Sequence, residues 1–162
     1  MHPQSAAYWI KHLNLQPHPE GGYYKEVFRS GQQVLRAGEN RAKQACTSIY
    51  YLLAGDDFSG FHRIASDELW YFHQGSPLII HVINEDGEYI AHELSDSKTG
   101  SLSLAVEASL WFAAEIPSAT GFTLVSCAVA PGFEFSEFEM AKREEMTALY
   151  PRHAALLYKL CR

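Results

Sequence analysis

Residues 60–75 read GFHRIASDELWYFHQG, with His62 six positions before Glu68 and Glu68 seven before Gly75. Strand alternation puts Glu68, Trp70 and Phe72 on one face and Leu69, Tyr71 and His73 on the other, while His62 and Ile64 share a face of the preceding segment. The stretch therefore predicts two neighbouring short strands, closed by a glycine turn, that aim an imidazole and a carboxylate into one cavity. Apolar and aromatic side chains form its walls. A carboxylate beside a histidine fixes the imidazole tautomer and raises its basicity, as general-base chemistry requires. On spacing alone, a structural His–Glu pair that satisfies buried polar groups accounts for the same residues.

Outward from this stretch the pattern stays β. CTSIYYLLAG, ELWYFHQG, PLIIHVINEDG, EYIAHELS, LSLAVEASLWFAAEI and GFTLVSCAVAPG are short runs broken by Gly, Asp, Asn or Pro. Their spacing predicts a sandwich or barrel of two packed antiparallel sheets. Asn84-Glu85-Asp86-Gly87 reads as a hairpin turn. Tyr23–Arg29 reads as a strand after the Gly21-Gly22 turn, and residues 30–45 (SGQQVLRAGENRAKQA) as a long polar loop or lid. A short amphipathic helix is predicted over 4–13. A capping box, Ser136-x-x-Glu139, predicts another through about Leu149, with Pro151 opening a second short helix behind it. The whole is one domain over 1–162: an all-β barrel over about 20–132 with terminal helices at about 4–13 and 137–160.

Composition bounds the function. With 162 residues, 47% of them hydrophobic and 20% charged, the chain has the make-up of an ordinary globular domain. A net charge of −6, and no more than two adjacent basic residues (Lys142-Arg143), argue against a nucleic-acid partner. Cys46, Cys127 and Cys161 are scattered and odd in number, as free thiols of a reducing compartment are. The first residues lack a signal-peptide pattern, and no uncharged run is long enough for a membrane helix. The expectation is a cytoplasmic protein without a membrane partner.

The spacing in 60–75 resembles the first signature of the cupin superfamily, G-x5-H-x-H-x3-E-x6-G, except that its second histidine is here Ile64. Aligned with the second signature, G-x5-P-x-G-x2-H-x3-N, the run Glu107–Phe112 places Phe112 where that signature has its histidine. HPEGGYYKEVFRS (18–30), TSIYYLL (47–53), FHRIASDELWYF (61–72) and SCAVAPGFEFSEFE (126–139) together resemble an uncharacterised cupin subfamily marked by HPEGGY and APGF-[DE]-F. The resemblance covers about residues 6–160. It implies a double-stranded β-helix, or jelly-roll barrel, and commonly a homodimer. Cupins usually hold a metal through four side chains; here only His62 and Glu68 remain, so no metal and no cofactor are expected. His73 has the wrong parity to replace a lost histidine, and His81 and His92 lie on later strands.

Among metal-free cupins, the deoxysugar-nucleotide 3,5-epimerases have their catalytic histidine at the place of His62, whereas the plant seed storage proteins catalyse nothing. The expected function is thus metal-independent epimerisation or isomerisation of a small polar metabolite or sugar derivative. His62 takes a proton next to a carbonyl, Glu68 orients His62, and Tyr24 or Tyr51 returns a proton. Glu26, Trp70 and Trp111 complete the expected ligand-binding set. A non-catalytic small-molecule binder is the first alternative, and a metal-dependent oxygenase ranks behind both.

Overall fold

The computed structural model describes residues 5–162. In chain order the elements are α1 (Ala6–Leu13), β1 (Gln16–Pro17), β2 (Tyr23–Arg29), β3 (Gln33–Leu35), β4 (Ala42–Gln44), β5 (Thr47–Ala54), β6 (Phe58–Ile64), β7 (Asp67–Gly75) and β8 (Leu78–Ile83). These are followed by β9 (Tyr89–Leu94), β10 (Ser103–Val106), β11 (Trp111–Glu115), β12 (Phe122–Ala130), β13 (Phe138–Met140), α2 (Arg143–Leu149) and α3 (Ala154–Leu160). A six-stranded sheet runs β1-β2-β5-β12-β7-β10 and a five-stranded sheet runs β13-β6-β11-β8-β9, with antiparallel pairing throughout both. The two sheets face each other. Leu53, Phe72, Leu78, Ile80, Leu94, Val106, Phe112 and Val125 fill one end of the space between them.

The decisive stretch does not form a hairpin. β6 belongs to the five-stranded sheet and β7 to the six-stranded one, and the chain crosses between the sheets at Ala65-Ser66. His62 and Glu68 therefore look into the interior from opposite walls. On β7 the expected alternation holds, with Glu68, Trp70 and Phe72 buried and Tyr71 and His73 exposed. β6 and β11 are buried on both faces, because α2 and α3 cover the outside of their sheet. Phe61, Trp111 and Ala113 point outward there to meet Met146, Leu157 and Leu160.

The strand Tyr23–Arg29 and the Asn84–Gly87 hairpin form as expected, with Gly87 at φ 76°. The first helix forms over Ala6–Leu13, capped by Ser5, whose Oγ accepts from the Tyr8 N–H at 3.2 Å; position 4 of the expected span lies outside the described residues. Two expectations fail. Residues 30–45 are not a loop, for β3 and β4 make a hairpin. Lys43 turns its nearly inaccessible ammonium onto Glu134, at 3.1 Å, and Glu137, while Arg36 meets Glu137 at 3.0 Å. Those guanidinium and ammonium partners hold the Glu137 carboxyl down at about 2. The acids that fasten the hairpin lie some ninety residues further along the chain, so no local pattern announces them.

The capping box is the second failure. Phe135–Glu137 forms only a 3-10 turn, Phe138–Met140 pairs with β6, and the helix starts at Arg143. Pairing with β6 puts Phe138 against the interior and Glu139 against Arg63, at 2.7 Å, and these tertiary contacts outweigh a local cap. After Pro151 a 3-10 turn precedes α3.

Candidate functional site

A cavity of about 230 Å³ opens between the sheets at the end away from the apolar fill. A space of roughly 150 Å³ holds benzene, so this one admits a single six-membered ring with a few substituents. His62 sits on its floor with 2% of its surface exposed. Its Nδ1–H donates to the Gly60 carbonyl at 2.8 Å, which leaves Nε2 facing the Glu20 carboxylate at 3.1 Å. Two lone pairs would repel at that distance, so a proton lies between Nε2 and Oε2.

The carboxylate that meets His62 is therefore Glu20, not Glu68. Glu20 Oε1 also accepts from the Ser59 hydroxyl at 2.9 Å. Beside it stands His18, whose Nδ1 accepts from the Glu20 N–H at 3.3 Å and lies 3.6 Å from Oε2. Burial lowers the His18 pKa, so its imidazole is neutral and carries its proton on Nε2. Tyr24 packs edge-on against the His18 ring at 4.5 Å.

The HPEGGY stretch builds this corner by folding tightly over β5 and β6. The Tyr51 hydroxyl donates to the Gly21 carbonyl at 2.8 Å, Gly22 N–H donates to Asp57 at 2.8 Å, and Arg162 Nε donates to the Glu20 carbonyl at 2.7 Å. Gly21 adopts φ 116°, and a Cβ there would lie 2.0 Å from the Phe58 carbonyl oxygen. Gly21→Ala is thus expected to cost at least about 2 kcal/mol and to lower the melting temperature by ~4–8 °C, from backbone strain plus displacement of the loop. Thermal melts check the size, and an unchanged melting temperature would refute the assigned loop conformation.

Glu68 faces the cavity from the other wall with 7% of its surface exposed and no cation paired with it among the described residues. Burial first, then the nearby Glu20 charge, push its pKa up to about 8, while the Cys127 thiol and the Trp70 indole offset a little of that rise. Burial thus favours the neutral form of the Glu68 carboxyl at pH 7. Trp70 is 1% exposed, and its Nε1–H finds no hydrogen-bond acceptor among the described residues.

The other expected residues divide. Tyr24 and Glu26 line the cavity, Glu26 in an ion pair with Arg29 at 2.7 Å near the exposed rim. Tyr51 lines it as well, but its hydroxyl is committed to Gly21, so it is not poised to return a proton. Trp111 does not line the cavity. Alternation on β11 sends Phe112 inward, its ring 4.2 Å from His62, and Trp111 outward beneath the Arg63 guanidinium. Glu20 and His18 are absent from the sequence-based set, although the glycine pair after them signals a loop that must come close to its neighbours.

Over residues 7–141 the sequence matches the family described as Cupin superfamily (DUF985). The chain belongs to the cupin superfamily. Its all-β architecture with terminal helices is the cupin jelly roll. The chain is 29% identical to the uncharacterised protein YML079W of Saccharomyces cerevisiae, over 88% of this chain and 78% of that one. Protein SO0799 of Shewanella oneidensis superposes with a TM-score of 0.90 at 36% identity, covering 99% of each chain. A hypothetical protein from Leishmania major superposes at 0.89 with 35% identity, covering 97% of this chain and 98% of that one. An oxalate decarboxylase from Bacillus subtilis shares the fold at a TM-score of 0.55 and 15% identity, over 89% of this chain and 36% of that one.

The metal common among cupins fits poorly. Where the signatures have histidines, Ile64 lines the cavity and Phe112 packs on the His62 ring, and no group of three or more His, Cys, Asp or Glu among the described residues is arranged to hold an ion. No helix among the described residues is long and apolar enough to cross a membrane.

Proposed function

We propose that this cupin is an isomerase or epimerase that moves a proton to and from carbon next to a carbonyl group, on a metabolite about the size of one sugar ring. The observation that supports it is the buried Glu20–His62 pair on the cavity floor, faced by a neutral Glu68. Two carboxyl groups held in opposite protonation states in one small cavity make an acid–base couple.

The roles differ from those expected of the sequence. Both nitrogens of His62 are committed, to Gly60 and to Glu20, so the imidazole has no lone pair left for a substrate. Glu20 does: a carboxylate offers about four acceptor positions, and Ser59 and His62 occupy two. Glu20 is the base and His62 the partner that fixes its orientation and charge. Tyr24, which lines the cavity beside His18, is the side chain assigned to deliver a proton from another side in this reading. The cavity volume favours a single ring or a short chain over an intact nucleotide sugar, which would leave most of itself outside.

The test is a thermal-shift screen of small aldehydes, ketones, sugars and sugar acids. Each hit is then followed by NMR in deuterium oxide. The expected result is enzyme-dependent replacement of a carbon-bound proton by deuterium. Ligands that raise the melting temperature but never exchange would instead identify a binding protein.

A further inference from the structure

The geometry points to Glu68 and Trp70 as a paired donor site for one substrate oxygen, which makes the ligand of this cavity an enolisable carbonyl compound held by that oxygen. The inference rests on the proton-transfer reading and adds where the negative charge goes.

Two residues apart on β7, Glu68 and Trp70 share its inward face, on the opposite wall from His62. The Trp70 Nε1–H is buried without an acceptor among the described residues, a state that costs free energy unless something in the cavity receives it. Glu68 is buried though somewhat more exposed, has no cation partner among the described residues, and faces the Glu20 carboxylate across the cavity. Its side chain accordingly carries a proton to donate. The indole N–H stands beside the Glu68 carboxyl without completing a hydrogen bond among the described residues, and a ligand oxygen that gains charge would give both groups an acceptor. The walls around them are Tyr51, whose ring lies 5.7 Å from that of Trp70, and Ile64 and Val129. Such surroundings exclude water and strengthen each donated bond.

The step balances without a co-reactant. The Glu20 carboxylate takes the proton from the carbon beside the carbonyl, and the C–H electron pair becomes the new C=C bond. The C=O π pair moves onto oxygen, which lies between the Glu68 O–H and the Trp70 Nε1–H. Return of a proton to carbon re-forms the carbonyl and releases the enolate charge. Nothing is oxidised or reduced.

The experiment uses 4-nitrophenolate as a flat mimic of the enolate and 4-nitroanisole, the same ring with its oxygen capped by methyl, as the control. Binding to the whole protein is followed by the visible absorption of the phenolate and by calorimetry. Wild type is expected to hold the phenolate at least about tenfold more tightly than the ether, as a hydrogen bond to a charged oxygen provides. Trp70→Phe keeps the ring but removes the N–H, and Glu68→Leu removes the acid; each is expected to lose about tenfold or more toward the phenolate and little toward the ether. Glu68→Gln keeps an N–H donor and stays within about threefold of wild type, which separates loss of the donor from loss of the fold.

Equal binding of phenolate and ether, phenolate binding indifferent to Trp70→Phe and Glu68→Leu, or no binding of either probe to wild type would each overturn the donor pair. Donor-dependent phenolate binding without deuterium exchange in any carbonyl compound would refute the proton-transfer reading and leave the donor pair standing. Exchange without donor dependence would do the reverse.

Discussion

Glu20→Gln is expected to slow deuterium exchange by ~10²–10⁴-fold, the usual contribution of a positioned general base. Gln keeps the shape of the side chain, so its amide oxygen still receives the Ser59 hydroxyl that now meets Oε1 at 2.9 Å. Its amide nitrogen faces His62 Nε2, where Oε2 now lies at 3.1 Å, and can donate to it. Nothing in the loop need move, because Tyr51, Asp57 and Arg162 hold its backbone and not the carboxylate. The loss is then one of basicity alone, and the thermal-shift response to ligands should persist. His62→Gln is the informative companion. If His62 only positions Glu20, its replacement is milder than Glu20→Gln and changes the pH profile of exchange. Should His62→Gln abolish exchange while Glu20→Gln leaves most of it, the imidazole itself is the base, as the sequence alone suggested.

That choice between two residues marks where the sequence stops being readable. Parity along β7 correctly separated Glu68, Trp70 and Phe72 from Tyr71 and His73, because alternation is a property of one strand. The partner of His62 lies on a different element. Glu20 reaches it from a loop more than forty residues earlier, and what brings it there is a set of backbone hydrogen bonds that leave no periodic trace. The same parity applied to β11 would have preferred Phe112 to Trp111 as the inward residue, given that Phe112 pairs directly with His62. The β3–β4 hairpin was hidden for a related reason. Polar residues such as Arg36 and Lys43 read as solvated loop until Glu134 and Glu137 arrive from the far end of the chain to neutralise them. Local pattern marked β2 and β5 to β12; long-range contacts made the β3–β4 hairpin and β13 and chose what faces the cavity.

Glu68→Gln should make the protein more stable, and increasingly so as the pH rises. The sign follows from which state holds the proton. An unfolded Glu releases it near 4.5, whereas the folded protein keeps it on Glu68 until about 8. Between those values the unfolded chain binds fewer protons, so stability falls as pH rises from about 4.5 to about 8 and stays lower above that. At about 1.4 kcal/mol per pH unit the loss at pH 8 reaches at most roughly 5 kcal/mol. Gln is neutral at every pH and nearly the same shape, and neither the Cys127 thiol nor the Trp70 N–H beside it needs a charge there. Thermal melts at pH 4 should therefore barely separate wild type from variant. At pH 8 the variant should melt higher by at most ~10–20 °C, taking about 2–4 °C per kcal/mol for a chain of this size. A variant whose advantage is the same at both pH values, or is lost at pH 8, would mean that Glu68 is ionised in the fold and paired with something else. An acid kept in the interior without a cation partner among the described residues, at such a cost to stability, is poorly explained by folding alone; such costs concentrate where side chains meet a ligand.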